Sequence, residues 1–111
     1  MIFLKPWSTL IHSPNKLSLP SSISQQVIHE VELGVMIGKT GKNIQKSEAM
    51  SYIHGYFLAL DMTNLDLFKQ LSKNGLSPSL CKTEDNFTPV SDLFHYKVNP
   101  YEIELSLKVN G

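Results

Sequence analysis

Val27-Ile28-His29-Glu30-Val31-Glu32-Leu33-Gly34-Val35-Met36-Ile37 decides the fold. Val27, His29, Val31, Leu33, Val35 and Ile37 share one parity, and Ile28, Glu30, Glu32, Gly34 and Met36 share the other. Period two is the signature of a strand, in which successive side chains point to opposite faces. The first face is apolar except for His29. The second carries two carboxylates roughly 7 Å apart, two strand rises, followed by a glycine whose missing side chain would leave a ligand room. On pattern alone the plainer reading of Glu30 and Glu32 is a solvated strand face. The same Glu-x-Glu spacing recurs at Glu102 and Glu104, where a wet face is the natural reading.

Downstream, Gly38 to Asn43 reads as a turn. Ser47 to Ile53 reads as a short helix capped by Ser47 and ended by Gly55. Tyr56-Phe57-Leu58-Ala59-Leu60-Asp61 fits a buried strand with Asp61 at its polar end. Thr63 to Asn74 reads as the next helix, with Thr63 and Asp66 as a weak capping box and Asn74-Gly75 as its stop. Leu76 to Pro89 reads as a loop and Ser91 to Phe94 as a turn. Tyr101, Ile103, Leu105, Leu107 and Val109 alternate with polar residues, which predicts a half-buried strand. Asn110-Gly111 is hairpin-turn chemistry, so the chain is expected to be part of a longer design, with a free or chain-covered edge at that strand. Upstream, Leu4 to Trp7 can begin an edge strand, because proline is confined to edges. Thr9-Leu10-Ile11 can be extended, and Pro14-Asn15-Lys16 and Pro20-Ser21-Ser22 are turns. The result is a mainly β fold with short helices, an α+β class, in a single domain over residues 1–111.

Composition limits the function. Ten Lys and Arg balance ten Asp and Glu over 111 residues, with 41% hydrophobic residues. That balance offers no electrostatic footprint for nucleic acid or an anionic membrane. The longest apolar run, Tyr56 to Leu60, is far short of the ~20 residues of a membrane span. The N-terminus lacks the apolar run of a secretory signal. The one cysteine, Cys81, excludes an internal disulfide and a cysteine-based zinc site. An intracellular compartment is the natural reading.

The residues able to carry chemistry are Glu30, Glu32 and Asp61. Three carboxylates gathered at a sheet repel one another unless a cation joins them. Oxygen-only donors suit Mg²⁺, Mn²⁺ or Ca²⁺. His29 reads as a core or interface histidine, Lys82 as a solvated surface lysine, and Cys81 as a small buried apolar residue.

The block His29-Glu30-Val31-Glu32-Leu33-Gly34-Val35-Met36-Ile37-Gly38 resembles the signature strand of the fumarylacetoacetate hydrolase family. Ala49-Met50-Ser51-Tyr52-Ile53-His54-Gly55-Tyr56 is similar to the family's A-M-x-Y-x-x-G-Y, and Leu60-Asp61-Met62-Thr63 to its D-M-T. Lys73-Asn74-Gly75-Leu76 and Lys82 resemble the K-x-G loop and its lysine, Lys5-Pro6 an early K-P, and Ser106 to Gly111 a closing strand. The blocks follow in family order over nearly the whole chain, closest to the acylpyruvate hydrolase branch, which includes oxaloacetate decarboxylases.

The resemblance implies a partial mixed β roll that pairs with a second copy, or with another chain through exposed strand edges. It implies Mg²⁺ or Mn²⁺ on Glu30, Glu32 and Asp61, with Lys82 as the catalytic lysine at the substrate carbonyl. The implied reaction cleaves a C–C bond next to a carbonyl in a small 2-oxo acid, in the mitochondrion or cytoplasm. Two departures stand out. Leu65 and Phe68 occupy the positions of an arginine and a glutamine that help hold an anionic substrate, so no substrate-binding residue carries over firmly. Ser77-Pro78 replaces a Pro-Trp, and the family's lid histidine and glutamate and its T-G-T-P segment have no counterpart in these residues. The alternative is a catalytically inactive relative that serves as a structural or assembly subunit.

Overall fold

The long period-two segment forms β2 (Val27–Ile37), and it pairs antiparallel with β3 (Ile53–Asn64) along nearly its whole length. The computed structural model describes residues 2–19, 21, 23, 26–94 and 98–110. β1 (Leu10–His12) and β4 (Thr88–Val90) pair in parallel, and β4 joins β3 antiparallel through Ala59 and Val90. The mixed sheet has the order β1-β4-β3-β2. Among the described residues one helix, α1 (Leu65–Lys73), and three 3₁₀ turns complete it, which makes the fold mainly β with short helices.

The register fixes the site before any side chain is considered. Glu30 lies directly opposite Asp61, Glu32 opposite Ala59, and Gly34 opposite Phe57. Residues opposite each other on antiparallel strands share a face, so the three acidic residues project to the same side. The small Ala59 leaves Glu32 without a bulky neighbour across the pair.

β3 is twice as long as its apolar run suggested, and it starts before Gly55. The glycine sits inside the strand because a Cβ there would lie 3.0 Å from the Phe94 carbonyl oxygen. Tyr56 and Phe94 exchange backbone hydrogen bonds at that point, so β3 is held close to the returning chain. The predicted helix over 47–53 is a 3₁₀ turn, Ala49–Tyr52, and Glu48 rather than Ser47 occupies its cap position without a side-chain bond.

α1 begins two residues later than expected. Thr63 stays in β3, and the Asn64 side chain caps the helix by accepting from the Leu67 N–H at 3.1 Å. The C-terminal stop is as expected: Gly75 takes a left-handed φ of 67°, the conformation that costs glycine least. The expected loop after it holds a 3₁₀ turn, Pro78–Lys82, and β4. Near the N-terminus, Leu4 to Pro6 form no strand. A 3₁₀ turn, Trp7–Thr9, leads straight into β1.

The core lies where α1, the 3₁₀ turn at Pro78–Lys82 and the inner strands meet, around Met62, Leu71, Cys81, Phe87 and Val90. Thr9 is buried among them, and its hydroxyl bonds to the Pro6 carbonyl and the Thr88 hydroxyl, both at 2.8 Å. His29 is exposed, which removes the core half of its reading as a core or interface histidine.

The strand predicted over 101–109 does not form. Residues 101–110 have no ladder partner among the described residues and are exposed throughout. Their apolar members have no surface here to bury against, and an isolated strand cannot hold itself in water. Gly111 of the predicted hairpin turn, and Pro20 and Ser22 of the earlier one, lie outside the described residues.

Candidate functional site

Two lysines from distant parts of the chain converge on the acidic face of the sheet. Lys82 ends the 3₁₀ turn Pro78–Lys82, which packs against α1 and β3. Its Nζ donates to Glu30 Oε2 at 3.0 Å, to Thr63 Oγ1 at 2.7 Å and to Asp61 Oδ2. An ammonium has three donors, and all three are used. Lys5 Nζ donates to the other Asp61 oxygen, Oδ1, at 2.7 Å and to the Met62 carbonyl at 3.2 Å. The Thr63 hydroxyl donates in turn to Glu30 Oε2 at 3.4 Å. Phe3 covers the Lys82 ammonium, its ring centroid 4.7 Å away.

Lys82 is 3% exposed, so it is not the solvated surface lysine its Ser/Thr-rich context suggested. Burying an ammonium is costly unless charge partners and hydrogen bonds repay it. Asp61 and Glu30 repay it from side chains 13% and 49% exposed respectively. Burial pulls the Lys82 pKa down, but the hydrogen bonds to Asp61 and Glu30 outweigh it and hold the group above the ordinary lysine value. For Lys5 the balance falls the other way: burial lowers its pKa more than Asp61 raises it. Burial, then the nearby charges of Asp61 and Glu30, push the Glu32 carboxyl up.

Glu30 and Asp61 are thus brought together on one buried cation, while Glu32 stands beside them as a like charge that Lys82 and Lys5 offset only in part. Among the described residues no three His, Cys, Asp or Glu side chains converge closely enough to hold a metal ion as they stand. Lysine nitrogens occupy the position between the carboxylates. The donor chemistry itself suits a hard divalent cation, being carboxylate and hydroxyl oxygen throughout. Three carboxylates face two ammonium groups here, so the face retains one excess negative charge.

The space expected at Gly34 is filled from within. A Cβ built there would fall inside the Phe57 ring, which lies across the glycine from the opposite strand. The glycine serves packing rather than a ligand. The open space lies elsewhere: a cleft of about 220 Å³ beside Glu30, Thr63 and Lys82, reached also by Leu65 and Phe68 at the start of α1. Cys81, next to Lys82, is fully buried, and that burial raises its thiol pKa. This agrees with a small apolar residue.

Sequence reasoning missed Thr63 as a site residue, because its position before a helix suggested a cap. It also missed Lys5, whose partner lies 56 residues away. No local spacing signals such a contact.

Comparison with known proteins places the chain in a family. A protein of Pyrococcus horikoshii is 41% identical over 113 aligned residues, which cover 100% of this chain and 49% of that protein. A mitochondrial oxaloacetate tautomerase of Arabidopsis thaliana is 37% identical over 113 residues, covering 100% of this chain and 50% of that one. Among solved structures, the fumarylpyruvate hydrolase of Pseudomonas aeruginosa in complex with Mn²⁺ and pyruvate superposes with a TM-score of 0.75 at 30% identity. That match covers 82% of this chain and 40% of the other. The chain spans about half the length of the curated relatives it matches. The family model described as fumarylacetoacetate (FAA) hydrolase C-terminal matches residues 1–111, and the chain belongs to the fumarylacetoacetate hydrolase family.

Proposed function

We propose that this chain carries the metal-binding and lysine half of a site that cleaves the C–C bond next to the carbonyl of a 2-oxo acid, with the released electron pair held as an enolate. The observation that carries this reading is the meeting of the Glu30 and Asp61 carboxylates on the buried Lys82 ammonium. Glu30, Glu32 and Asp61 are the residues that would hold Mg²⁺ or Mn²⁺. The Pseudomonas aeruginosa relative, solved in complex with Mn²⁺ and pyruvate, supports the use of a divalent cation. A bound divalent cation supplies Lewis acidity toward the carboxylate and 2-oxo oxygens of the substrate.

The chain's own residues do the rest. With a cation held by these carboxylates in place of their bonds to Lys5 and Lys82, the Lys82 ammonium could then donate to a substrate carbonyl oxygen. Donation there stabilises negative charge as it develops. In an acylpyruvate, water adds to the distal carbonyl carbon and the bond to the central methylene carbon breaks. The electron pair passes into the enolate of pyruvate, which takes up a proton, and a carboxylic acid leaves. In oxaloacetate the same enolate forms as CO₂ departs. Tautomerisation, the activity for which the Arabidopsis relative is named, moves a proton between that carbon and the 2-oxo oxygen. The enolate is that of pyruvate in the two cleavages and of intact oxaloacetate in tautomerisation, and the same groups stabilise either.

An inactive relative with a structural role is the second reading. Leu65 and Phe68 favour it, because they leave no side chain at the start of α1 that can pair with a substrate carboxylate. A homodimer, or association with another chain, is supported by β2 standing at the sheet edge with Val35, Met36 and Ile37 exposed. The mitochondrial relative supports a mitochondrial location, and the archaeal one a cytoplasmic location. No described helix is long and apolar enough to cross a membrane.

Pyruvate release by the purified chain, followed with a coupled dehydrogenase, tests the reading. Turnover of an acylpyruvate that requires Mg²⁺ or Mn²⁺ and disappears in Lys82→Met is expected. Turnover no higher than in chelator would select the inactive relative.

A further inference from the structure

We propose that the cleft beside Lys82 accepts an uncharged apolar substituent, alkyl or aryl, at the far end of the 2-oxo acid rather than a second carboxylate. The inference rests on the 2-oxo acid reading above and names the substrate class within it.

The cleft has a volume of about 220 Å³. Three of its lining residues, Glu30, Thr63 and Lys82, are polar and bonded to one another. The other four are Phe3, Ile28, Leu65 and Phe68, all carbon at their tips. Leu65 and Phe68 are three residues apart in the first turn of α1, a spacing that puts both side chains on one side of a helix. The Asn64 cap fixes that turn against the end of β3. Phe3 and Ile28 reach the same space from the N-terminal segment and from β2.

Charge separates the candidate ligands. Among the described residues Lys82 is the one cation lining the cleft, and its three donors are already given to Asp61, Glu30 and Thr63. The donors it would recover if a cation took Glu30 and Asp61 lie at the reaction centre, where the substrate's own carbonyl oxygen accepts them. A second carboxylate would therefore lose water among four apolar side chains with no cation to receive it, which is strongly unfavourable. An apolar group gains instead: each methylene withdrawn from water contributes roughly fourfold in affinity. Size permits it, since an apolar cavity of about 150 Å³ holds benzene.

The test is calorimetric titration of the chain, with Mg²⁺ present, by two 2,4-dioxo acids of similar length. One ends in phenyl, the other in carboxylate. The phenyl compound is expected to bind at least about tenfold more tightly, as a few buried methylene equivalents require. Leu65→Arg with Phe68→Gln should reverse the order, and Phe68→Leu, which keeps the lining apolar, should retain it. Equal or tighter binding of the dicarboxylate by the unmodified chain overturns the inference, as does failure of both compounds to bind. A retained phenyl preference without pyruvate release supports the cleft assignment and defeats the cleavage reading alone. Release of pyruvate from both compounds with no preference does the reverse.

Discussion

Lys82 concentrates the energetics of the site in one nitrogen. Removing a buried charge while its partners remain typically costs about 3–5 kcal/mol. The cost here should be lower, about 2–3 kcal/mol, because Glu30 is half exposed and Lys5 still pairs with Asp61. Lys82→Met is expected to lower the urea midpoint accordingly. Combining it with Asp61→Asn should cost less than the two single losses together, since the second change removes a carboxylate the first left short of a partner. Strict additivity would mean that the pair is not coupled. Glu32 makes the opposite prediction. Burial and its acidic neighbours raise its carboxyl pKa in the folded chain. The folded state therefore holds that proton more tightly than the unfolded state, and stability falls as pH rises from the ordinary carboxyl range through the raised value. In metal-free protein, Glu32→Gln should be more stable than the parent near pH 7, and the gain should vanish below about pH 3.5, where both states are protonated. Denaturation at the two pH values measures this. A gain that is absent at neutral pH, or that is independent of pH, would contradict the assigned environment.

At the scale of elements, β2 and β3 illustrate what patterning can and cannot deliver. The alternating segment from Gln26 to Gly38 specifies a strand, and the strand formed, Val27 to Ile37, is shorter by one residue at each end. The face shared by Glu30 and Glu32 follows from parity alone. The register that sets Glu30 against Asp61 does not, because it depends on tertiary pairing with a segment whose polarity does not alternate. Thr63 illustrates a competition between roles: it precedes a helix, as a cap should, but its hydroxyl is needed by Lys82, and Asn64 caps instead. Residues 101–109 alternate as clearly as β2 does and form no ladder among the described residues. Alternation encodes a face to bury, and a strand appears only when a partner meets it. Gly34 belongs to this scale because its packing joins the two strands. Gly34→Ala pushes a Cβ into the Phe57 ring, and overpacking of that kind costs about 1–3 kcal/mol. Thermal unfolding should reveal the loss, and Phe57→Leu in the same chain should recover part of it. A Gly34→Ala variant as stable as the parent would show that the ring moves aside freely.

The whole molecule is a scaffold that carries three acidic residues on two adjacent strands and brings two lysines to them from outside that pair. Lys5 arrives from the N-terminal segment, and Lys82 from a 3₁₀ turn held against α1. Both contacts span more than fifty residues, which is why spacing alone singled out the acidic residues, while Lys82 was legible only through the family resemblance and Lys5 was not read as a site residue. The central claim is that these carboxylates exchange their lysines for a divalent cation. The most direct measurement is Mn²⁺ titration of the chain followed by the electron paramagnetic resonance of free Mn²⁺. One saturable site per chain is expected, lost or weakened at least about tenfold in Asp61→Asn, since that substitution removes a ligand charge from the set. Mn²⁺ that remains free throughout, or that binds Asp61→Asn as tightly as the parent, would contradict the account.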